Sequence, residues 1–267
     1  MMNRRRMVTV EPVALSEVVA DPAVPPIAPT PPVLNAKRAF VVLGVWLVNQ
    51  LACAIVLTLA AELLANMISA DHLDAAQTLT ISSAANVLAT WFALDMFAKS
   101  FGSRREMYAA FGLRVASLRA IAFAAAVGCS IAICVGFVLF TWLPPTNLKN
   151  LGPLVAALRV DGVWRQIAGL CMVVVAPILE EIMFRGAFFT GLARSWHVIA
   201  AGAATTTVFA LLHIYGIPMY WPTLFAVALL GAAAQTARIS SGSLWPAMAL
   251  HFAYNLTNAI GALLRDG

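Results

Sequence analysis

Charge is what this sequence has least of. Of 267 residues, 11% are Asp, Glu, Lys or Arg and 61% are hydrophobic, with a mean hydropathy of +0.86. A water-soluble domain of this length carries about a quarter charged residues, so the composition excludes a soluble globular fold and points to a polytopic membrane protein. The net charge is +5, yet the arginines stand at the borders of apolar runs. No basic stripe with interleaved aromatics occurs, which removes nucleic acid as a partner. Cysteine is scarce as well. Cys53, Cys129, Cys134 and Cys171 all sit inside apolar runs without C-x-x-C spacing, so neither disulfides nor zinc knuckles are expected. There is no H-E-x-x-H pair to place two histidines on one helix face for a metal, and no internal repeat of the kind that transporters show.

What is present falls into two regions. Residues 1–36 open with Arg4, Arg5 and Arg6 and then carry Pro12, Pro22, Pro25, Pro26, Pro29, Pro31 and Pro32, a spacing that forbids regular structure. A disordered tail is expected there. It has no apolar core with a small-residue cleavage site after it, so it is not read as a secretory signal. Residues 37–267 form one multi-pass domain. A membrane span needs about 20 apolar residues, and such stretches occur at Phe40–Leu64, Leu79–Ala98, Ala120–Leu143, Gln166–Leu192, Val198–Ile214, Met219–Ala237 and Ser243–Leu264. The expectation is an all-α bundle of seven transmembrane helices, with an eighth, short span in the Pro144–Arg165 loop as the alternative. Lys37, Arg38, Lys99, Arg104, Arg105, Arg114, Arg119, Arg194 and Arg238 alternate with Asp71 and Asp74 along the chain, which puts the basic turns and the N-terminus in the cytoplasm.

Within the fourth stretch lies Glu180-Glu181-Ile182-Met183-Phe184-Arg185. An ionisable group at membrane depth costs roughly 3 kcal/mol or more, so it needs a reason to be there. On a helix Glu181 and Arg185 are at i and i+4 and pair, while Glu180 is turned about 100° away. Glu181–Arg185 is therefore expected to be structural and Glu180 to be the functional carboxylate; a three-membered network that only locks helices is the alternative. Phe209 and His213 close the fifth stretch. His251 and Asn255 sit inside the seventh, again at i and i+4, and aim two polar groups at one place. A lone histidine in an apolar helix is ordinarily a satisfied core residue, so depth has to decide. Counting from the Arg194–His197 turn, Glu180 and His213 lie about 21 and 24 Å into the membrane. His251 and Asn255 lie about 14 and 20 Å beyond Gly242. All four are expected at one level.

The order E-E-x-x-x-R, F-x-x-x-H, H-x-x-x-N on successive membrane helices resembles the CPBP intramembrane proteases, which include CAAX prenyl endopeptidases and bacterial Abi-domain proteins. The resemblance spans Gln166 to Leu264 (residues 166–264). It implies about eight spans, a catalytic glutamate at Glu180, a second glutamate and arginine at Glu181 and Arg185, histidines at His213 and His251 and an asparagine at Asn255.

The residues suit peptide hydrolysis independently. Glu180 and His213 can activate a water, and His251 and Asn255 can donate hydrogen bonds to the oxyanion. No serine or cysteine stands at a comparable position. No cofactor is expected. Zinc held by Glu180, His213 and His251 is the less favoured alternative. The expected substrate is a membrane-anchored peptide or protein, with a prenylated C-terminal peptide as the cargo the resemblance implies. The lipid bilayer is the other partner. The Ala- and Arg-rich composition suggests the inner (plasma) membrane of a bacterium. Charge bias opens the site outward, whereas the prenyl-tail members of the resembled family act on cytoplasmic substrates. A membrane scaffold or bacteriocin immunity protein, or a proton-coupled transporter, remain open as other functions.

Overall fold

The computed structural model describes residues 34–67, 72–99, 101, 103–144, 153–214 and 221–264. The tail expected over residues 1–36 lies outside the described residues except for its last three, and so do Asp71 and the Met219 start of the sixth expected span. All regular structure among the described residues is helical: α1 (Ala36–Met67), α2 (Ala75–Ala98), α3 (Arg104–Phe111), α4 (Leu118–Trp142), α5 (Pro153–Leu158), α6 (Val163–Ala193), α7 (Val198–Leu212), α8 (Trp221–Ser241) and α9 (Leu244–Leu263). Helices thus occupy all seven of the expected apolar stretches. Five of them are long and apolar enough to cross a membrane: α1, α2, α4, α6 and α8. At 15 residues α7 is shorter than a typical span, and α9 breaks its apolar run with His251, Asn255 and Asn258.

Local chemistry sets the ends. Asp74 accepts from the Gln77 backbone N–H at 2.7 Å while the Gln77 side chain accepts from the Asp74 N–H at 2.9 Å, a capping box that starts α2 four residues before its apolar run. Ser103 caps α3 through the Glu106 N–H, and Gly112 ends it at φ +88°, a left-handed position that suits a residue without Cβ. The six-residue α5 is about 9 Å long and cannot cross a hydrocarbon core of about 30 Å by itself. Instead its Ala157 packs with Ala76 and Ala168, and its Leu158 with Val173 and Ala259.

In lipid, apolar burial does not drive helices together; close approach over small residues and polar contacts does. The bundle shows this at each seam. Gly191 on α6 lets α1 come so near that an added Cβ would lie 2.6 Å from the Ala39 Cβ. Gly128 on α4 is pressed against the backbone carbonyl of Leu250 on α9. At one end of the bundle the Ala36 N–H donates to Ser195 Oγ (3.1 Å), Thr190 Oγ1 donates to Ala110 O (3.5 Å), the Leu244 N–H donates to Gly112 O (2.9 Å) and Ser243 Oγ donates to Arg114 O (2.7 Å). The same end therefore gathers the basic residues Lys37, Arg38, Arg104, Arg105, Arg114, Arg119 and Arg194. Arg238 on α8 is buried beneath it, donating from Nε to Arg185 O and from Nη2 to Phe111 O, both at 3.3 Å.

The α4–α9 seam positions His251, the neighbour of Leu250. Gly128→Ala is expected to push the two helices apart at a cost of about 1–3 kcal/mol, read as a lower thermal unfolding midpoint in detergent. Gly136→Ala, one α4 position with open space around it, should leave that midpoint within a degree or two.

Candidate active site

Four helices meet around two glutamates. Glu181 and Arg185 are fully buried, and Arg185 Nη1 donates to Glu181 Oε1 at 3.0 Å. The other guanidinium arm, Nη2, donates to Gly231 O on α8 at 3.0 Å, and the group lies over the Phe209 ring with its carbon 4.3 Å from the centroid. Gly231 has no side chain because there is no room for one: a Cβ there would stand 3.1 Å from Phe209 and 3.3 Å from Arg185. Phe209 itself is fully buried and packs on Phe184 (5.1 Å), His213 (4.5 Å) and His251 (6.0 Å between centroids). It is the partition against which both histidines are set.

The histidine tautomers follow from their partners. His251 Nδ1 is 2.9 Å from Glu181 Oε1, which already accepts from Arg185. A carboxylate only accepts, so Nδ1 carries the hydrogen. His213 Nδ1 is 2.7 Å from the Phe209 carbonyl and by the same reasoning donates to it. Both rings thus present Nε2 as a bare lone pair when neutral. Both Nε2 atoms face Glu180 Oε2, each at 3.9 Å. That is too far for direct hydrogen bonds and the right span for one bridging water. Glu180 keeps 17% of its side chain exposed and His213 32%, whereas His251 keeps 4%, so the group opens on the Glu180–His213 side.

Asn255 stands one turn beyond His251 on the same face, but its amide is engaged elsewhere: Nδ2 donates to Met172 O at 2.8 Å. The reason lies in α6. Residues Cys171–Val175 are π-helical, with the Ala176 N–H bonded to Cys171 O. In that register the next carbonyl, Met172, would look to residue 177, which is Pro177 and has no N–H. Asn255 supplies the missing donor with one of its two amide hydrogens and has the second left to give.

The structure therefore brings Glu180, His213 and His251 together, with Glu181, Arg185 and Phe209 behind them. It ties Asn255 to the helix that carries the glutamates. Sequence reasoning missed Gly231, Arg238 and Pro177. Of these only Pro177 left a readable signal, as a proline inside an apolar run just ahead of the paired glutamates. A second π-helical stretch, Ile182–Phe188, follows them, and its Arg185 carbonyl is taken by Arg238. As for zinc, Glu180, His213 and His251 would be its ligands. Tetrahedral ligand atoms about 2.0–2.1 Å from the ion stand roughly 3.3 Å apart, closer than the 3.9 Å between Glu180 Oε2 and each Nε2. No group of three His, Cys, Asp or Glu residues among the described residues is arranged to hold a metal.

Residues 162–257 match the family model of the type II CAAX prenyl endopeptidases, Rce1-like. The match contains every one of these side chains and supports a CPBP/CAAX protease assignment for that segment. No curated protein and no solved structure matches the chain.

If Asn255 answers the carbonyl that Pro177 leaves free, the two are energetically coupled. Asn255→Leu should cost about 1–3 kcal/mol, as expected for an unsatisfied buried acceptor. In a Pro177→Ala background, which restores a backbone N–H, the same substitution should cost at least 1 kcal/mol less in a double-mutant cycle of unfolding in detergent. Equal costs in both backgrounds would mean that Met172 O is not what Asn255 serves.

Proposed function

We propose that this membrane protein is an intramembrane endopeptidase that hydrolyses a peptide bond of a membrane-anchored substrate, with Glu180 as general base. The observation that carries the reading is the convergence of Glu180 Oε2 with two imidazole Nε2 atoms, 3.9 Å from each. A water in that space can give its hydrogens to Glu180 and His213, and its oxygen lone pairs are left to face a carbonyl carbon. Glu180 takes a proton as the water oxygen bonds to that carbon, with His213 holding the water in line. Nδ1–H of His251 is fixed on Glu181, so His251 donates from Nε2 only as imidazolium, a charge that the Glu181 carboxylate faces directly. In that form it hydrogen-bonds the oxyanion, joined by the second amide hydrogen of Asn255. Collapse of the tetrahedral intermediate breaks the C–N bond, and Glu180 returns its proton to the leaving amine. The chain's own groups account for every proton, and no metal is assigned a step.

The substrate is a membrane-associated peptide or protein, of which a prenylated C-terminal peptide is the form that the family match suggests. In this reading α7 and α9 cross the bilayer along with the five longer helices, for seven spans in the inner (plasma) membrane of a bacterium. The basic end and the N-terminus are cytoplasmic, and the site opens outward.

Purified protein in detergent, given a quenched fluorescent farnesylated C-terminal peptide, tests the chemistry where no gradient exists for a transporter to use. Glu180→Gln should lower the cleavage rate at least 100-fold, the scale of a lost general base, with an unchanged unfolding midpoint. Phenanthroline should leave the wild-type rate largely intact. Glu181→Gln leaves Arg185 without a counter-charge and should lower stability by about 3–5 kcal/mol. A stable but inactive Glu181→Gln beside an active Glu180→Gln would mean that the two roles are exchanged.

Orientation is separable. In a cysteine-free background, Arg194→Cys should resist a membrane-impermeant thiol reagent in intact cells and react after lysis. Labelling in intact cells would invert the bundle.

A further inference from the structure

Two amide side chains of the N-terminal helices stand level with Glu180 and take no part in the chemistry above. Along α1, Ala39 meets Gly191 of α6, and Trp46 meets Phe184 with ring centroids 5.7 Å apart and near-perpendicular rings. Seven residues forward on α1 thus correspond to seven backward on α6, and the helices are antiparallel. Four residues more, about 6 Å on, bring Gln50 opposite Glu180 within about a residue. Trp46 and Gln50 are i and i+4 on one face of α1, as Glu180 and Phe184 are on α6. Gln50 therefore lies on the side of α1 that faces α6, one turn past Trp46.

On α2, Thr90 Oγ1 accepts from Trp46 Nε1 at 2.9 Å and donates to Asn86 Oδ1 at 3.3 Å. Asn86, one turn from Thr90 and 8% exposed, is level with Gln50. The Trp46–Thr90–Asn86 chain is the usual polar glue between membrane helices. Gln50 is not part of it: its Oε1 is buried and has no hydrogen-bond partner among the described residues. Asn86 enters that chain through its Oδ1, as an acceptor from Thr90, and not through its amide nitrogen. The fit of α1 against α6 also ends here. The fully buried residues of α1 are Ala39, Val42, Leu43 and Trp46, and after them none occurs until Ala65. At the level of Glu180 the first helix no longer seals against the sixth.

A peptide entering this level from the bilayer must have its backbone N–H and C=O groups satisfied, since no lipid atom will do so. We infer that Gln50 and Asn86 form a backbone-holding subsite beside Glu180, in which Gln50 Oε1 accepts from an N–H and Asn86 Nδ2 donates to a C=O of the substrate strand. Two amides of opposite hydrogen-bonding sense read backbone and not side chains, so the subsite fixes the strand's register and leaves its sequence free. The inference rests on the endopeptidase reading. It makes Gln50 a positioning residue, outside the segment that matches the family.

The test uses the full-length protein in detergent with the farnesylated peptide and a set of analogues N-methylated at one backbone nitrogen each. Gln50→Met keeps the length of the side chain and removes the acceptor. It is expected to raise KM at least fivefold with kcat within about twofold. One N-methyl analogue should raise KM for the wild type and not for Gln50→Met, because the lost hydrogen bond is the same one. Since Gln50 Oε1 has no partner among the described residues, the unfolding midpoint of Gln50→Met should equal or exceed that of the wild type. An unchanged KM, an N-methyl penalty equal in both proteins, or a lowered midpoint would each overturn the inference while leaving Glu180 untouched. Failure of the wild type to cleave the peptide, or full activity in Glu180→Gln, would remove the endopeptidase reading itself and the subsite with it.

Discussion

One oxygen atom carries the arrangement. Glu181 Oε1 accepts from Arg185 and from His251 at 3.0 and 2.9 Å, with both acidic and basic partners fully buried. Charges so placed attract strongly because little solvent screens them, and for the same reason neither is tolerable alone. The pair makes each tolerable to the other. The Gly231 carbonyl and the face of Phe209 then surround the guanidinium with further negative potential. Satisfaction is still incomplete: Glu181 Oε2 and Arg185 Nε have no partner among the described residues. What the pair secures is a ring, since fixing Nδ1 of His251 determines where its Nε2 points. It also leaves Glu180 outside the Arg185 pair, turned instead toward the two histidine Nε2 atoms.

Holding two adjacent glutamates to different neighbours demands an exact helical phase, and the two π-helical stretches that bracket them adjust it. Each wider turn shifts the residues after it round the axis and frees carbonyls that a regular helix would have bonded. Those carbonyls are not wasted. Met172 O goes to Asn255 on α9, and Arg185 O goes to Arg238 on α8. The irregularities of α6 are thus also its attachments, one on each side of the glutamates. A substitution at Pro177 or Arg238 would be felt at the site through the phase of the helix and not through contact with it.

Much of this was legible in the sequence because membrane helices obey few rules. Apolar stretches of span length predicted helices in all seven places to within a few residues at most ends, five of them long and apolar enough to cross a membrane, and i, i+4 spacing predicted the Glu181–Arg185 pair. Depth arithmetic from two turns brought Glu180, His213 and His251 to one level, because a helix converts residue count directly into distance. The same arithmetic says nothing about rotation. It placed Asn255 near Glu180 and gave no hint that its amide would be drawn to Met172, because that depends on a π register which no residue pattern announces. Arg238 was read as a border charge, being last in its apolar run. Its burial comes from the Gly112 turn folding over it, a contact between residues more than 100 apart in sequence. The α5 helix falls in the Pro144–Arg165 loop where a short extra span was the alternative, but six residues in a proline-bearing loop show no periodicity from which to place it or to see that it is too short to cross.

The division of labour along the chain has a consequence for how such a site can change. Among the described residues, the ionisable groups around Glu180 come from residues 162–257, the segment that matches the protease family model. The first two helices contribute a wall: Trp46 against Phe184, and a polar seam through Thr90 and Asn86. A wall can alter its lining without disturbing the Glu181–Arg185–His251 arrangement, since none of those three side chains bonds to α1 or α2. The reverse does not hold. Any change in the phase of α6 moves Phe184, and with it the position at which the wall meets the glutamates. In the proposed endopeptidase, a change in how the substrate strand is held therefore has a mechanically cheaper route through the N-terminal helices than through residues 162–257.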